Sequence, residues 1–275
     1  MSHHTVRLEK MRLARQQSLL AKKSPHEIGN EKKLNALHWT YQWGWTSPTL
    51  LGFVARDNKN GLCARLIKQG YLNKVRTEAG GGVKGIPTYM LLLTSRGVEE
   101  VERTFNHVDQ LLPYCGDPTK INQIKLRHDY VVQRLTAEAY VSGGIARYFT
   151  ERQCAAKSEI ATKQPDVIWQ RGAEILAIEV ELSAKWGREL DTFVRGCVLA
   201  LYKNRELDRF LPDKLILYSD SPAIIKRYRA AFKPGAIYNV WEKNGRRHWQ
   251  VVREVSVPSN IENKVRFELL DKTIA

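Results

Sequence analysis

The stretch QPDVIWQRGAEILAIEVELSAK, residues 164–185, decides the reading of the second half of the chain. DVIWQ and EILAIEVELS are short runs rich in β-branched and aromatic residues, and both are read as strands. Alternate residues of a strand share a face, so Ile178, Val180 and Leu182 fall on one side and Glu179, Glu181 and Ser183 on the other. Two neighbouring carboxylates on one face of an apolar strand repel each other. In a central strand their burial requires a cationic partner; on a half-exposed antiparallel strand they are simply solvated. Asp166 heads the preceding strand, within reach of the same point, and Lys185 follows Glu181 by four residues.

Three carboxylates at one spot with an amine beside them suit a hard divalent cation. Mg²⁺ and Mn²⁺ prefer oxygen ligands and keep waters for chemistry. Asp166, Glu179 and Glu181 are therefore the candidate metal ligands, and with Lys185 the candidate catalytic set. The ion would stabilise charge on a phosphodiester and acidify a bound water. Lys185 would stabilise developing negative charge or orient that water.

Around this stretch the order is regular. A long helix is expected over 121–140, with Ile121, Ile124, His128, Val131, Val132 and Leu135 on one side and Gly143-Gly144 ending it. ARYFTERQC, DVIWQ and EILAIEVELS read as three strands, GRELDTFVRGCVLALYKN as a helix, KLILYS as a strand and PAIIKRYRAAF as a helix. AIYNVWEK and HWQVVRE read as further strands, giving an α/β core on a mixed sheet. Asp129, Gln133 and Glu138 on the preceding helix are further candidates for the site, whereas His128 is read as a packed or surface histidine.

The first half differs. Residues 31–45 carry Leu34, Leu37, His38 and Tyr41 at helical spacing. Ser47-Pro48 reads as an N-cap followed by proline in the first turn of a second helix. In NKNGLCARLIKQGYL, Leu62, Leu66 and Ile67 form an inner face while Lys59, Asn60, Ala64, Arg65 and Lys68 point outward, and Gly70 stops the helix. YLNKVRT, a glycine-rich basic tip and PTYMLLLT read as a hairpin, and a closing helix follows from Ser95.

The composition fits a polyanion binder. There are 44 Lys and Arg against 29 Asp and Glu among 275 residues, a formal charge of +15. The excess is spread along the chain, which raises encounter rates with polyanions. Cys63, Cys115, Cys154 and Cys197 lie 39 to 52 residues apart, too far for the paired spacing of a zinc site and unlike a secreted disulfide framework. No apolar run is long enough to cross a membrane and the N-terminus has no signal-peptide core, so a cytoplasmic protein without membrane insertion is expected. The expected organisation is a basic arm over 1–30, a reader over 31–105, a linker over 106–119, the α/β core over 120–257 and a polar tail over 258–275.

Residues 31–105, with KQGYL and YMLLLTSRG at the ends of the third helix and the hairpin, resemble a winged helix-turn-helix domain. That resemblance implies double-stranded DNA at a specific site as partner, with Lys59, Asn60, Arg65 and Lys68 at the groove or phosphates and Lys74, Arg76 and Lys84 on the wing. Pro165-Asp166, Glu179 thirteen positions on and a nearby lysine resemble the PD-(D/E)XK motif of restriction-endonuclease-like nucleases. Here Glu181 stands at the motif's lysine position and Lys185 is displaced. Winged helix followed by such a core resembles the MobC-type (MOBC) relaxases of mobilisable plasmids. It implies a metal-dependent, strand-specific DNA nickase at a transfer origin, with other transfer-complex proteins as partners. The scattered histidines do not form the His-x-His cluster of tyrosine relaxases. A non-catalytic DNA-binding regulator, a restriction enzyme and a structural partner in a transfer complex are the alternatives.

Overall fold

The computed structural model describes residues 23–57, 61–104, 112–114, 116–155, 163–203, 211–245 and 248–271. The chain divides into two compact units, residues 1–74 with 91–108 and residues 75–90 with 109–275. Among the described residues no helix is long and apolar enough to cross a membrane. The basic arm up to residue 22, Lys59, Asn60 and half of the expected linker lie outside the described residues.

The first unit opens with α1 (Pro25–Trp43), which starts inside the stretch assigned to the arm. Ser24 accepts the Glu27 amide and Glu27 caps the Ser24 amide in return, so two end donors that the helix itself leaves unpaired are satisfied reciprocally. α2 (Pro48–Val54) begins, as expected, after Ser47, whose hydroxyl accepts the Leu50 amide. α3 (Gly61–Lys68) buries Leu62, Cys63 and Leu66 and leaves Ala64, Arg65 and Lys68 exposed. Gly70, at φ 73°, ends the run in the left-handed region that a side chain disfavours. β1 (Leu72–Arg76) pairs with β2 (Tyr89–Leu93), the stretch Val75–Met90 between and within them being counted with the second unit, and α4 (Ser95–Thr104) belongs to the first.

The second unit is built on α5 (Leu126–Val141), β3 (Arg147–Thr150), α6 (Glu151–Ala155), β4 (Val167–Arg171), β5 (Glu174–Val180), α7 (Gly187–Tyr202), β6 (Lys214–Ser219), α8 (Pro222–Ala231), β7 (Ile237–Lys243), β8 (Trp249–Ser256) and β9 (Val265–Leu269). The sheet order is β3-β4-β5-β6-β9: the first two pairings are antiparallel and the last two parallel. β4 and β5 are joined tightly through Gly172 at φ 61°. The parallel step from β5 to β6 is bridged by α7, since parallel neighbours need a crossover. β5 is central, with Ala177, Ile178, Glu179 and Val180 all buried. α7, α8 and the sheet residues Ala177, Leu215 and Leu217 share one apolar cluster. β7 and β8 form a separate two-stranded ribbon.

Two boundaries are corrected. The helix expected from residue 121 begins at Leu126, after two short 3₁₀ turns, and Ile124 lies almost fully exposed. The expected tail is structural instead: Val265–Leu269 forms the parallel edge strand against β6, with Ile261, Val265 and Leu270 buried. Its polar composition concealed it, because an edge strand buries few of its side chains; most of β9 is exposed.

Candidate active site

Antiparallel register brings the first two carboxylates together. Val167 pairs with Ile178 at the end of the ladder, and Asp166, one residue before β4, lies close enough to Glu179 for their charges to interact. The Asp166 amide donates to the Ile178 carbonyl (3.1 Å), while its Oδ2 accepts the Val180 amide (2.8 Å). The side chain thus replaces the backbone acceptor that a longer β4 would offer, and this fixes its orientation.

Each buried carboxylate has a cation. His128, on the first turn of α5, lies with Nε2 3.1 Å from Asp166 Oδ2 and Nδ1 3.0 Å from Asp129 Oδ1. Lys163 Nζ donates to Glu179 Oε1 at 2.8 Å and also to the Gln164 carbonyl. Lys185 donates to Glu181, which is buried one residue beyond β5 and whose amide binds the Tyr218 carbonyl at 2.8 Å. Both ammonium groups also approach the Phe193 ring of α7, Lys185 at 4.9 Å and Lys163 at 5.8 Å from its centre.

Charge follows geometry. Burial opposes ionisation of His128, but Asp129 and Asp166 outweigh it and raise the imidazole to about 10. Burial likewise works against the Asp166 charge, yet the His128 imidazolium, Lys163 and the Val180 amide hold it below its ordinary value. Glu179 goes the other way: burial and the neighbouring Asp166 push it well above the usual carboxylate range, against the pull of Lys163. The Lys163 ammonium is raised in turn, the Glu179 and Asp166 charges overcoming its own burial. Burial and Glu179 also push up the Cys197 thiol, and burial and Glu181 the Tyr228 phenol.

Asp166 and Glu179 are thus adjacent, whereas Glu181 is engaged with Lys185. Of the helix candidates, Asp129 orients His128, Gln133 is fully buried with neither polar atom bonded among the described residues, and Glu138 is paired with Arg134. His128 is a direct partner of Asp166 and not a bystander on the helix. Lys163 gave no signal in the sequence, since its reach to Glu179 depends on the packing of the loop against α7. Among the described DNA-binding candidates, Arg65, Lys68, Lys74, Arg76 and Lys84 are exposed, with Arg76 also donating to the Gly80 carbonyl (3.4 Å).

Among the described residues no three His, Cys, Asp or Glu side chains are grouped as a metal cage. A magnesium-type ion does not need one, because it is commonly held by one or two carboxylates with waters and substrate phosphate completing the shell. Asp166 Oδ1 and Glu179 Oε2 make no hydrogen bond to the described residues, so this pair fits such an ion in kind. No protein-family model matches the chain, and neither a curated protein nor a solved structure matches it.

Proposed function

We propose that this chain is a metal-dependent DNA endonuclease that nicks one strand of a duplex, acting in the manner of a plasmid relaxase at a transfer origin. The observation that carries the reading is the closeness of Asp166, just before β4, to Glu179 on β5, with the Asp166 side chain held by the Val180 amide. A protein has little reason to set a half-buried and a buried carboxylate side by side unless a cation or a reaction uses them. Asp166 and Glu179, with Glu181 as the further candidate, would hold Mg²⁺ or Mn²⁺. Bound there, the ion supplies Lewis-acid stabilisation of the phosphate and a more acidic water.

The chain's own residues do the rest. The Val180 amide and His128 orient Asp166, and Lys163 orients Glu179 and places a positive charge beside it. Lys185, held at Glu181, offers a second positive charge for the scissile phosphate. The order α5, β3, α6, β4, β5, α7, β6 is compatible with a restriction-endonuclease-like core that carries a short extra helix, and α1 to α4 with β1 and β2 are compatible with a winged helix. In that domain the exposed Arg65, Lys68, Lys74, Arg76 and Lys84 meet groove or backbone.

One observation favours a second reading. His128, Lys163 and Lys185 already balance the three carboxylates, as a non-catalytic DNA-binding regulator would allow. Incubation with a supercoiled plasmid carrying the DNA that flanks the chain's own gene separates the two. Open circles formed with Mg²⁺ or Mn²⁺ but not with chelator, and reduced about 100-fold or more in Asp166→Ala and Glu179→Ala with DNA binding kept, support the nickase. Linear product supports a double-strand endonuclease, and intact plasmid despite specific binding supports the regulator.

A further inference from the structure

Cations and indole rings alternate along one edge of the second unit. Trp186 follows Lys185 directly, is 67% exposed and carries the Arg227 guanidinium stacked on its ring. Two residues later Arg188 lies 4.2 Å from the centre of the Trp249 ring, and Lys243 approaches the same ring at 5.1 Å. Lys243 and Trp249 are cross-strand partners at the end of the β7–β8 ribbon. The row therefore runs Arg227, Trp186, Arg188, Trp249, Lys243.

Beside it a groove of about 600 Å³ opens between α7 and α8, lined by Leu190, Val194, Lys226, Ala230 and Ile237 among others. Its single acidic lining residue, Asp191, accepts the Asn239 amide (3.0 Å) and the Trp241 indole N–H (2.8 Å), which tie the ribbon to α7. Both indoles keep surface in solvent, Trp186 being 67% and Trp249 45% exposed, and Ile237 beside them is exposed as well. Exposed rings interleaved with cations are what an unpaired polynucleotide uses: bases stack on the rings and phosphates meet the cations. A duplex keeps its base faces stacked inside and offers the rings nothing to cover.

We propose that this row binds single-stranded DNA, with bases stacked on Trp186 and Trp249 and phosphates on Arg188, Lys226, Arg227 and Lys243. Arg227 Nη1 donates to the Lys185 carbonyl (3.4 Å), so the track begins next to the carboxylate cluster. The choice of DNA over RNA rests on the nuclease reading; the stacking does not. An unpaired strand leaving the cluster would be held there.

The test uses the full chain in chelator, where binding is read without metal-dependent cleavage. The probes are an oligothymidylate of about twelve nucleotides, an oligouridylate of the same length and a duplex. Oligothymidylate is expected to quench tryptophan fluorescence. Trp186→Ala and Trp249→Ala are each expected to weaken its binding about tenfold, and the phenylalanine variants to keep most of it, with duplex binding changed less than about twofold. Arg188→Glu with Lys243→Glu tests the same track without removing a ring and is expected to weaken oligothymidylate selectively. Absence of quenching, equal losses on duplex and single strand, or tighter binding of oligouridylate overturns the proposal. A chain that binds oligothymidylate through this row but nicks nothing sinks the nuclease reading alone. One that nicks and ignores single strands sinks only this inference.

Discussion

Gly196, in the middle of α7, lies against the backbone of Lys163: a Cβ at 196 would come within 2.8 Å of the Lys163 nitrogen and Cβ. The absence of a side chain there lets the loop before β4 press onto the helix, and this carries the Lys163 ammonium to Glu179. One added methyl group has nowhere to go, since it meets the Lys163 backbone nitrogen and Cα together with the Cβ that they fix. Gly196→Ala is expected to destabilise the protein by about 1–3 kcal/mol in urea unfolding and to displace Lys163. Lys163→Met should lose part of its own cost in that background, because the contact it removes is already disturbed. Strictly additive losses would dissociate Gly196 from Lys163.

Removing the ammonium alone leaves Glu179 buried beside Asp166 without compensation. Lys163→Met is expected to cost about 2–4 kcal/mol near neutral pH, and Lys163→Met with Glu179→Gln to recover much of that loss. Equal losses in single and double variants, measured by urea denaturation, would remove the electrostatic account of this pair.

His128 makes stability depend on pH in a defined direction. Its folded value of about 10 lies above the ordinary 6.5, so between these limits the folded chain binds more protons than the unfolded one. Its contribution is complete below pH 6.5 and is lost as pH rises through 10. The imidazole is 30% exposed, which screens the pairs and suggests a loss of roughly 2 kcal/mol across the window. Unfolding free energies of the protein minus those of His128→Asn should shrink from pH 6.5 upward; a constant difference contradicts the assignment.

β9 predicts that the C-terminal segment is needed for folding. Ile261 is fully buried and Ile261→Ala is expected to cost about 2–4 kcal/mol. A chain ending at Pro258 lacks the strand that covers the β6 edge, and it should lose cooperative unfolding of the second unit. Wild-type denaturation of the shortened chain would return the segment to the status of a tail.

Much of this was legible in the order of residues because local rules suffice for it. The alternation of Glu179 and Glu181 with Ile178 and Val180, the Ser47-Pro48 helix start and the stop at Gly70 each depend on neighbours a few positions away. The approach of Asp166 to Glu179 was also within reach, since the tight antiparallel pair β4–β5 fixes the register that ends beside them. Other features depend on partners remote in the chain. Helical periodicity describes only which side of α5 is apolar, so it gave no reason to bring His128 to Asp166, 38 residues on. Lys163 reaches Glu179 only because Gly196 admits the loop, and β9 exists only because β6 leaves an edge to be paired. Sequence alone determined most of the elements and the carboxylate pattern, through spacing. Packing decided which cation meets which acid, because a side chain's charge partner is set by the space that other segments leave open.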